Sequence, residues 1–137
     1  MLRCARAIGL PRTRIETDAE VHMGRLTGKV AIVTGAGSGI GRAVALAFGR
    51  EGARVVVNDR RTDGMGEETV AMIQAEGSEA VYAAADVSRE IEVVGLIRTA
   101  IETFGRLDVL VNNAGVAVYK PLQELTEEDF DLVVSVN

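Results

Sequence analysis

Four glycines fall within eight residues at Thr34-Gly35-Ala36-Gly37-Ser38-Gly39-Ile40-Gly41, between an apolar run and an amphipathic stretch. The preceding Val30-Ala31-Ile32-Val33 is mostly β-branched and reads as a strand buried on both faces. A strand that breaks into such a turn and then opens a helix can wrap its backbone closely around a pyrophosphate, with the helix N-terminus facing the negative charge. That single feature points to a parallel α/β layer and to a dinucleotide site.

The rest of the chain repeats one rhythm. Ile40, Ala43, Val44, Ala47 and Phe48 recur at spacings of three and four and mark one apolar helical face that Gly52 stops. Val55-Val56-Val57 is the second strand, and a more polar helix carrying Val70, Met72 and Ile73 runs to Gly77. Val81-Tyr82-Ala83 is the third strand. Ser88 opens a third helix with Val94, Ile97, Ile101 and Phe104 on one face; Gly105 closes it before the fourth strand, Val109-Leu110-Val111. Helix, glycine, a few polar residues and an apolar strand thus follow one another three times. Because crossovers of this kind are right-handed, the expected fold is a Rossmann-type, doubly wound parallel sheet with helices on both faces. A last helix begins with Thr126 as N-cap and Asp129 three residues on, with Glu127 and Glu128 favoured in its first turn.

Composition excludes several other classes. With 47% apolar and 26% charged residues in 137, the chain has room for one soluble domain with a core, and no apolar run is long enough to span a bilayer. A net charge of -5 without a basic block leaves no electrostatic footprint for nucleic acid. One cysteine, Cys4, and one histidine, His22, make neither an internal disulfide nor a familiar zinc site, so no metal is expected and a reducing cytoplasm fits. Residues 1–22 carry Arg3, Arg6, Arg12 and Arg14 before the first acid, Glu16. A transit peptide would share that bias but would also be rich in serine, and none precedes Ser38, so the segment reads as an extension ahead of a domain over residues 23–137.

Ligands of such a layer sit beyond the carboxyl ends of the strands. The spacing GxxxGxG of Gly35, Gly39 and Gly41, with no lysine nearby, disfavours a nucleoside triphosphatase. Ser38 offers a hydroxyl either to a phosphate or to the helix as a cap, and Arg42 reads as solvated. Asp59, 18 residues past Gly41, stands where an acid accepts hydrogen bonds from both ribose hydroxyls of an adenosine. NAD is therefore expected ahead of NADP, since a 2'-phosphate near that carboxylate would be repelled by about 4 kcal/mol per charge pair at 4 Å. Arg60 and Arg61 read as a solvated turn, with a swing onto a 2'-phosphate as the alternative. Asp86 either meets the adenine edge, the preferred reading, or caps the helix at Ser88. Phe130, Val133 and Val134 define an apolar face that would carry Asn137 toward the sheet, where its amide needs partners; the alternative is a frayed, solvated last residue.

Together these segments resemble the short-chain dehydrogenase/reductase family, in its NAD(P)-dependent type of ordinary length, over residues 25–137. The resemblance rests on Thr34 to Gly41, on Asp86-Val87, and on Asn112-Asn113-Ala114-Gly115 after the fourth strand. It implies a cofactor site formed by Gly35, Ser38, Gly39, Ile40, Gly41, Asp59, Asp86, Val87, Asn113, Ala114 and Gly115. Asn112 and Asn113 would brace the sheet, and Asn137 would hold a water of a proton relay. The implied activity is hydride transfer between the nicotinamide cofactor and an alcohol or carbonyl, in a homo-oligomer that associates partly through the helix begun at Thr126. The family's tyrosine with a lysine four residues on is not met: Tyr82 and Tyr119 are followed there by Asp86 and Gln123. Tyr119 reads instead as a loop residue packing near the substrate side. The expectation is an amino-terminal half that binds cofactor without turnover and leaves the edge of the fourth strand unpaired. A non-catalytic dinucleotide-binding or partner-binding module is the alternative.

Overall fold

The computed structural model describes residues 24–137; the extension read over residues 1–22, with Cys4 and His22, lies outside the described residues. Strand β1 (Val30–Val33) is followed by α1 (Gly39–Arg50), β2 (Arg54–Asp59), α2 (Met65–Ala75), β3 (Ala80–Ala84), α3 (Glu90–Phe104) and β4 (Val109–Val111). A single 3-10 turn (Leu122–Glu124) then leads to α4 (Glu127–Val136). All strand pairs are parallel and the order is β3-β2-β1-β4. The chain thus builds outward from β1 through β2 to β3, then crosses back to place β4 on the other flank of β1. Among the described residues β4 is an edge strand, as expected.

Side chains alternate between two cores, which is why β1 must be apolar throughout. Val33, Val55 and Val57 pack with Ala45 of α1 and Ile73 of α2 on one face. Val30, Ile32 and Val56 pack with Leu96, Ala100 and Phe104 of α3 on the other. Each fully buried valine or isoleucine stabilises the sheet by roughly 1.5–3 kcal/mol, so β1 and β2 form the rigid frame from which the functional loops hang. The glycines closing α1, α2 and α3, at Gly52, Gly77 and Gly105, all have φ between 82° and 88°, the left-handed turn that lets a helix end and the chain reverse into the next strand. At α4 the Thr126 hydroxyl accepts the Asp129 N–H at 3.2 Å, and the Asp129 carboxylate accepts the Thr126 N–H at 3.1 Å, completing the anticipated capping box.

Some helical faces differ from the sequence reading. On α3 the buried stripe is Leu96, Ala100 and Phe104, whereas Val94, Ile97 and Ile101 are exposed. The helix is apolar nearly all round, so periodicity alone offers two faces and only the sheet selects one. On α1, Gly41, Ala45 and Gly49 are buried while Ile40 is exposed. Small residues there let the helix axis approach β1 and β2. Met72 of α2 is likewise exposed; Gly66, Thr69 and Ile73 are the buried positions. Helix α3 starts at Glu90, after Ser88, because the Asp86 carboxylate holds the Ser88 N–H at 3.0 Å and its hydroxyl at 2.7 Å in a turn outside the helix. Tyr119 is 94% exposed and packs against no core.

Candidate functional site

The carboxyl ends of the strands open onto one cleft of about 430 Å³. It lies where the strand order reverses between β1 and β4, the position at which open α/β sheets place their ligands. Gly35, Ser38, Ile40 and Gly41 form one wall, Asp59 and Arg61 a second, Asp86 and Val87 a third, and Asn113, Ala114 and Gly115 the fourth. Every cofactor-site residue expected from the sequence lines this cleft except Gly39, the first residue of α1.

Close approach dictates the glycines. At Gly35, with φ +62°, an added Cβ would lie 3.0 Å from the Ala114 Cα, and at Gly37 it would lie 2.6 Å from an Asp59 carboxylate oxygen. A Cβ on Gly41 would meet the Gly35 carbonyl and stand 2.5 Å from the Asn113 amide nitrogen. Gly39 differs: its φ of +56° demands glycine, yet an added Cβ would find nothing within 4 Å, so the turn faces open space there. The first hydrogen bond of α1 runs from the Arg42 N–H to the Ser38 carbonyl at 3.2 Å. The N–H groups of Gly39, Ile40 and Gly41 precede it and have no helical acceptor. Ser38 occupies the N-cap but its side chain makes no cap bond, so it satisfies none of those donors.

Arg42 is not solvated as the sequence suggested. Its guanidinium donates twice to the Gly37 carbonyl, at 2.6 and 3.1 Å, and reaches Thr69, the Met65 carbonyl and Glu68 on α2. It turns away from the cleft and fastens the glycine turn to α2, a cross-element contact that local spacing cannot reveal.

Asp59 closes β2 and is buried. One carboxylate oxygen accepts the Gly37 N–H at 3.2 Å, joining β2 to the glycine turn, and the other accepts the Arg61 N–H at 3.1 Å. Burial pushes the carboxyl up, but the Arg61 backbone and side-chain bonds, the Arg61 charge and the Gly37 N–H outweigh it and hold the group below the usual carboxylate range. Beside it Asn58, also buried, donates to the Ala83 and Ala85 carbonyls at 3.0 and 3.1 Å and fixes the spacing of the β2 and β3 ends. Sequence reading passed over Asn58; a polar pair ending an apolar strand was the available signal.

The β1 and β4 loops are tied through Thr34 and Asn113. The Thr34 hydroxyl oxygen accepts the N–H groups of Asn113 and Ala114, both at 3.0 Å, while the Asn113 amide donates to the Thr34 carbonyl at 2.8 Å. Asn113 therefore braces the sheet as expected. Asn112 does not share the task, being exposed and lining a smaller neighbouring pocket. Asp86 lines the cleft with its carboxylate engaged by Ser88, a bond that holds its pKa below the ordinary value. Asn137 is neither frayed nor directed into the sheet. Its carbonyl oxygen accepts the Val116 N–H at 2.9 Å and its amide donates to the Val116 carbonyl at 3.0 Å, pinning the end of α4 to the loop after β4. No helix among the described residues is long and apolar enough to cross a membrane.

A family model described as short chain dehydrogenase matches residues 29–137. The chain is 46% identical over 110 residues to an uncharacterized oxidoreductase of Thermotoga maritima, covering 80% of this chain and 43% of that protein. It is 49% identical over 114 residues to the short chain dehydrogenase/reductase nsrJ of Aspergillus novofumigatus, covering 83% and 43%. Among solved structures, a short chain dehydrogenase from Mycobacterium avium superposes with a TM-score of 0.79 at 50% identity, covering 83% of this chain and 42% of that one. A hydroxysteroid dehydrogenase from Escherichia coli gives 0.79 at 40% identity, covering 85% and 48%. The chain spans less than half the length of these relatives.

Proposed function

The chain belongs to the short-chain dehydrogenase family, and from that premise we propose that residues 23–137 are a dinucleotide-binding unit that takes NAD in preference to NADP. The observation that carries this reading is that the N-terminus of α1, where the N–H groups of Gly39, Ile40 and Gly41 lack helical acceptors, stands beside the buried carboxylate of Asp59, with Ile40, Gly41 and Asp59 lining one cleft. The three N–H groups and the positive end of α1 suit a diphosphate, which needs donors and no acceptor. Asp59, held ionised, suits the ribose hydroxyls and opposes a 2'-phosphate. Asp86 and Val87 would receive the adenine; Ala114 and Gly115, without bulky side chains, would let the rest of the dinucleotide pass over the β4 loop.

When bound, NAD would supply a hydride acceptor, and the reaction proposed for the complete protein is oxidation of an alcohol or reduction of a carbonyl. Within this chain Asn137 would act indirectly, by fixing the Val116 backbone beside the cleft and by holding a relay water. Residues 1–137 by themselves would bind without turnover, because neither Tyr82 nor Tyr119 is followed one helical turn on by the lysine that the proton-donating pair requires. Exposed Phe130, Leu132 and Val134 on α4 support association of the complete protein into a homo-oligomer. A cytoplasmic setting fits the single cysteine.

Titration of the purified chain with NAD, followed by amide NMR, tests the reading. Shifts confined to Gly35–Gly41, Asp59, Asp86 and Asn113–Gly115 are expected. A folded sample in which the Gly35–Gly41 and Asp59 signals do not move would overturn it, and alcohol-dependent reduction of NAD by residues 1–137 alone would overturn the predicted lack of turnover.

A further inference from the structure

The Asp59 carboxylate, on which ribose recognition depends, already has its acceptor sites filled. Besides the Gly37 and Arg61 N–H groups, one oxygen takes the Arg61 Nε at 3.3 Å and the other the Arg61 Nη2 at 3.4 Å. The same Nη2 donates to the Ser38 hydroxyl oxygen at 3.2 Å. One guanidinium therefore spans from the end of β2 to the glycine turn, across the gap that an adenosine ribose held by Asp59 would enter.

The two partners differ in freedom to move. The Asp59 side chain is 9% exposed and the Arg61 side chain 46%. The backbone at Arg61 is anchored, since the Tyr82 hydroxyl lies 2.5 Å from the Arg61 carbonyl and 3.1 Å from that of Asp59. Displacement would then need only rotation of the arginine side chain. A receiving carboxylate is at hand, because Asp63, half exposed, lies 3.9 Å from the Arg61 Nε.

We propose that Arg61 is an internal competitor for the ribose site, a latch that occupies Asp59 in the free protein and must swing aside, toward Asp63, before a dinucleotide is held. This rests on the reading of the cleft as a dinucleotide site. The latch lowers affinity for the adenosine half and keeps a buried carboxylate paired until a ligand replaces its partner, which avoids the cost of a buried, unpaired charge. It also gives a partner to the Ser38 hydroxyl, which makes no cap bond to α1.

The test is isothermal calorimetry on the full chain and on Arg61→Ala and Arg61→Gln, with NAD and with adenosine as a neutral probe that no cation can grip through phosphate. Removing the guanidinium should tighten binding of both ligands about two- to fivefold, the range of a partly exposed ion pair that the ligand no longer has to break. Raising the salt concentration should tighten adenosine binding to the wild type and leave both variants unchanged. Circular dichroism identifies any misfolded variant; Arg61→Gln keeps the side-chain stem and carries the test if Arg61→Ala is disordered. Unchanged or weaker NAD binding by the folded variants would mean that Arg61 is a bystander or grips the ligand, and would overturn the latch. NAD failing to bind wild type and variants alike would remove the dinucleotide reading and the latch with it.

Discussion

Replacing Thr34 by valine removes one oxygen atom at the junction of the two loops that matter most. Thr34 is buried at 3% exposure, and valine has nearly its shape, so no cavity or clash complicates the change. The carbonyl of Val111, which accepts the Thr34 hydroxyl at 3.2 Å, keeps the Thr34 backbone N–H at 3.1 Å and stays satisfied. The N–H groups of Asn113 and Ala114 lose the acceptor that each held at 3.0 Å. An orphaned buried donor costs about 1–3 kcal/mol; both sites are half-buried, so the low end applies and the sum is about 2–3 kcal/mol. Against a urea dependence of about 1–3 kcal/mol per molar, the unfolding midpoint should fall by roughly 1 M. Thr34→Ser is the control, since it keeps the oxygen and loses one methyl worth about 0.8 kcal/mol. Urea denaturation followed by circular dichroism ranks the three proteins, and hydrogen exchange should show the Asn113 and Ala114 amides opening faster in the valine variant. If Thr34→Val is no less stable than Thr34→Ser, the hydroxyl does not hold the β4 loop against the glycine turn and the assignment fails.

The glycine turn and its acid are open to comparable tests. Gly41→Ala should destabilise the fold and abolish NAD binding in calorimetry, because the new Cβ meets the Gly35 carbonyl and stands 2.5 Å from the Asn113 amide nitrogen; an alanine variant with wild-type affinity would refute this packing. For Asp59 the pH dependence has a definite sign. Its folded pKa is lowered, so its ionised form contributes stability above the unfolded value of about 3.9, and that contribution disappears as pH falls through the lower folded value. Urea midpoints of wild type and Asp59→Asn should therefore differ near neutrality and converge below about pH 4. A difference that holds constant down to pH 2 would contradict the assignment.

What could be read from the chain alone was whatever depends on neighbours in sequence. An apolar β-branched run followed by glycines could be little other than a buried strand and a turn, and Asp59 at the end of the second apolar run fell on the cleft wall. Thr126 with Asp129 formed the capping box because both partners of that motif lie within one helical turn. Even the parallel direction of the strands, though not their order, follows from the alternation of strands and helices, through the handedness of the crossover.

Tertiary structure alone determined the contacts between distant segments. Helix α3 offers two apolar stripes, and the sheet buries Leu96, Ala100 and Phe104 because they meet Val30, Ile32 and Val56. Arg42 turns from solvent to Gly37 and α2, Arg61 closes over Asp59 and Ser38, and Asn137 finds Val116 across 21 positions of sequence. Long polar side chains can satisfy their hydrogen bonds with water or with any backbone group within reach, so their sequence context carries almost no information about which they choose. Periodicity specifies which residues are buried only where one face of an element is apolar; where two faces qualify, or where a charge reaches across elements, the packed fold selects the partner.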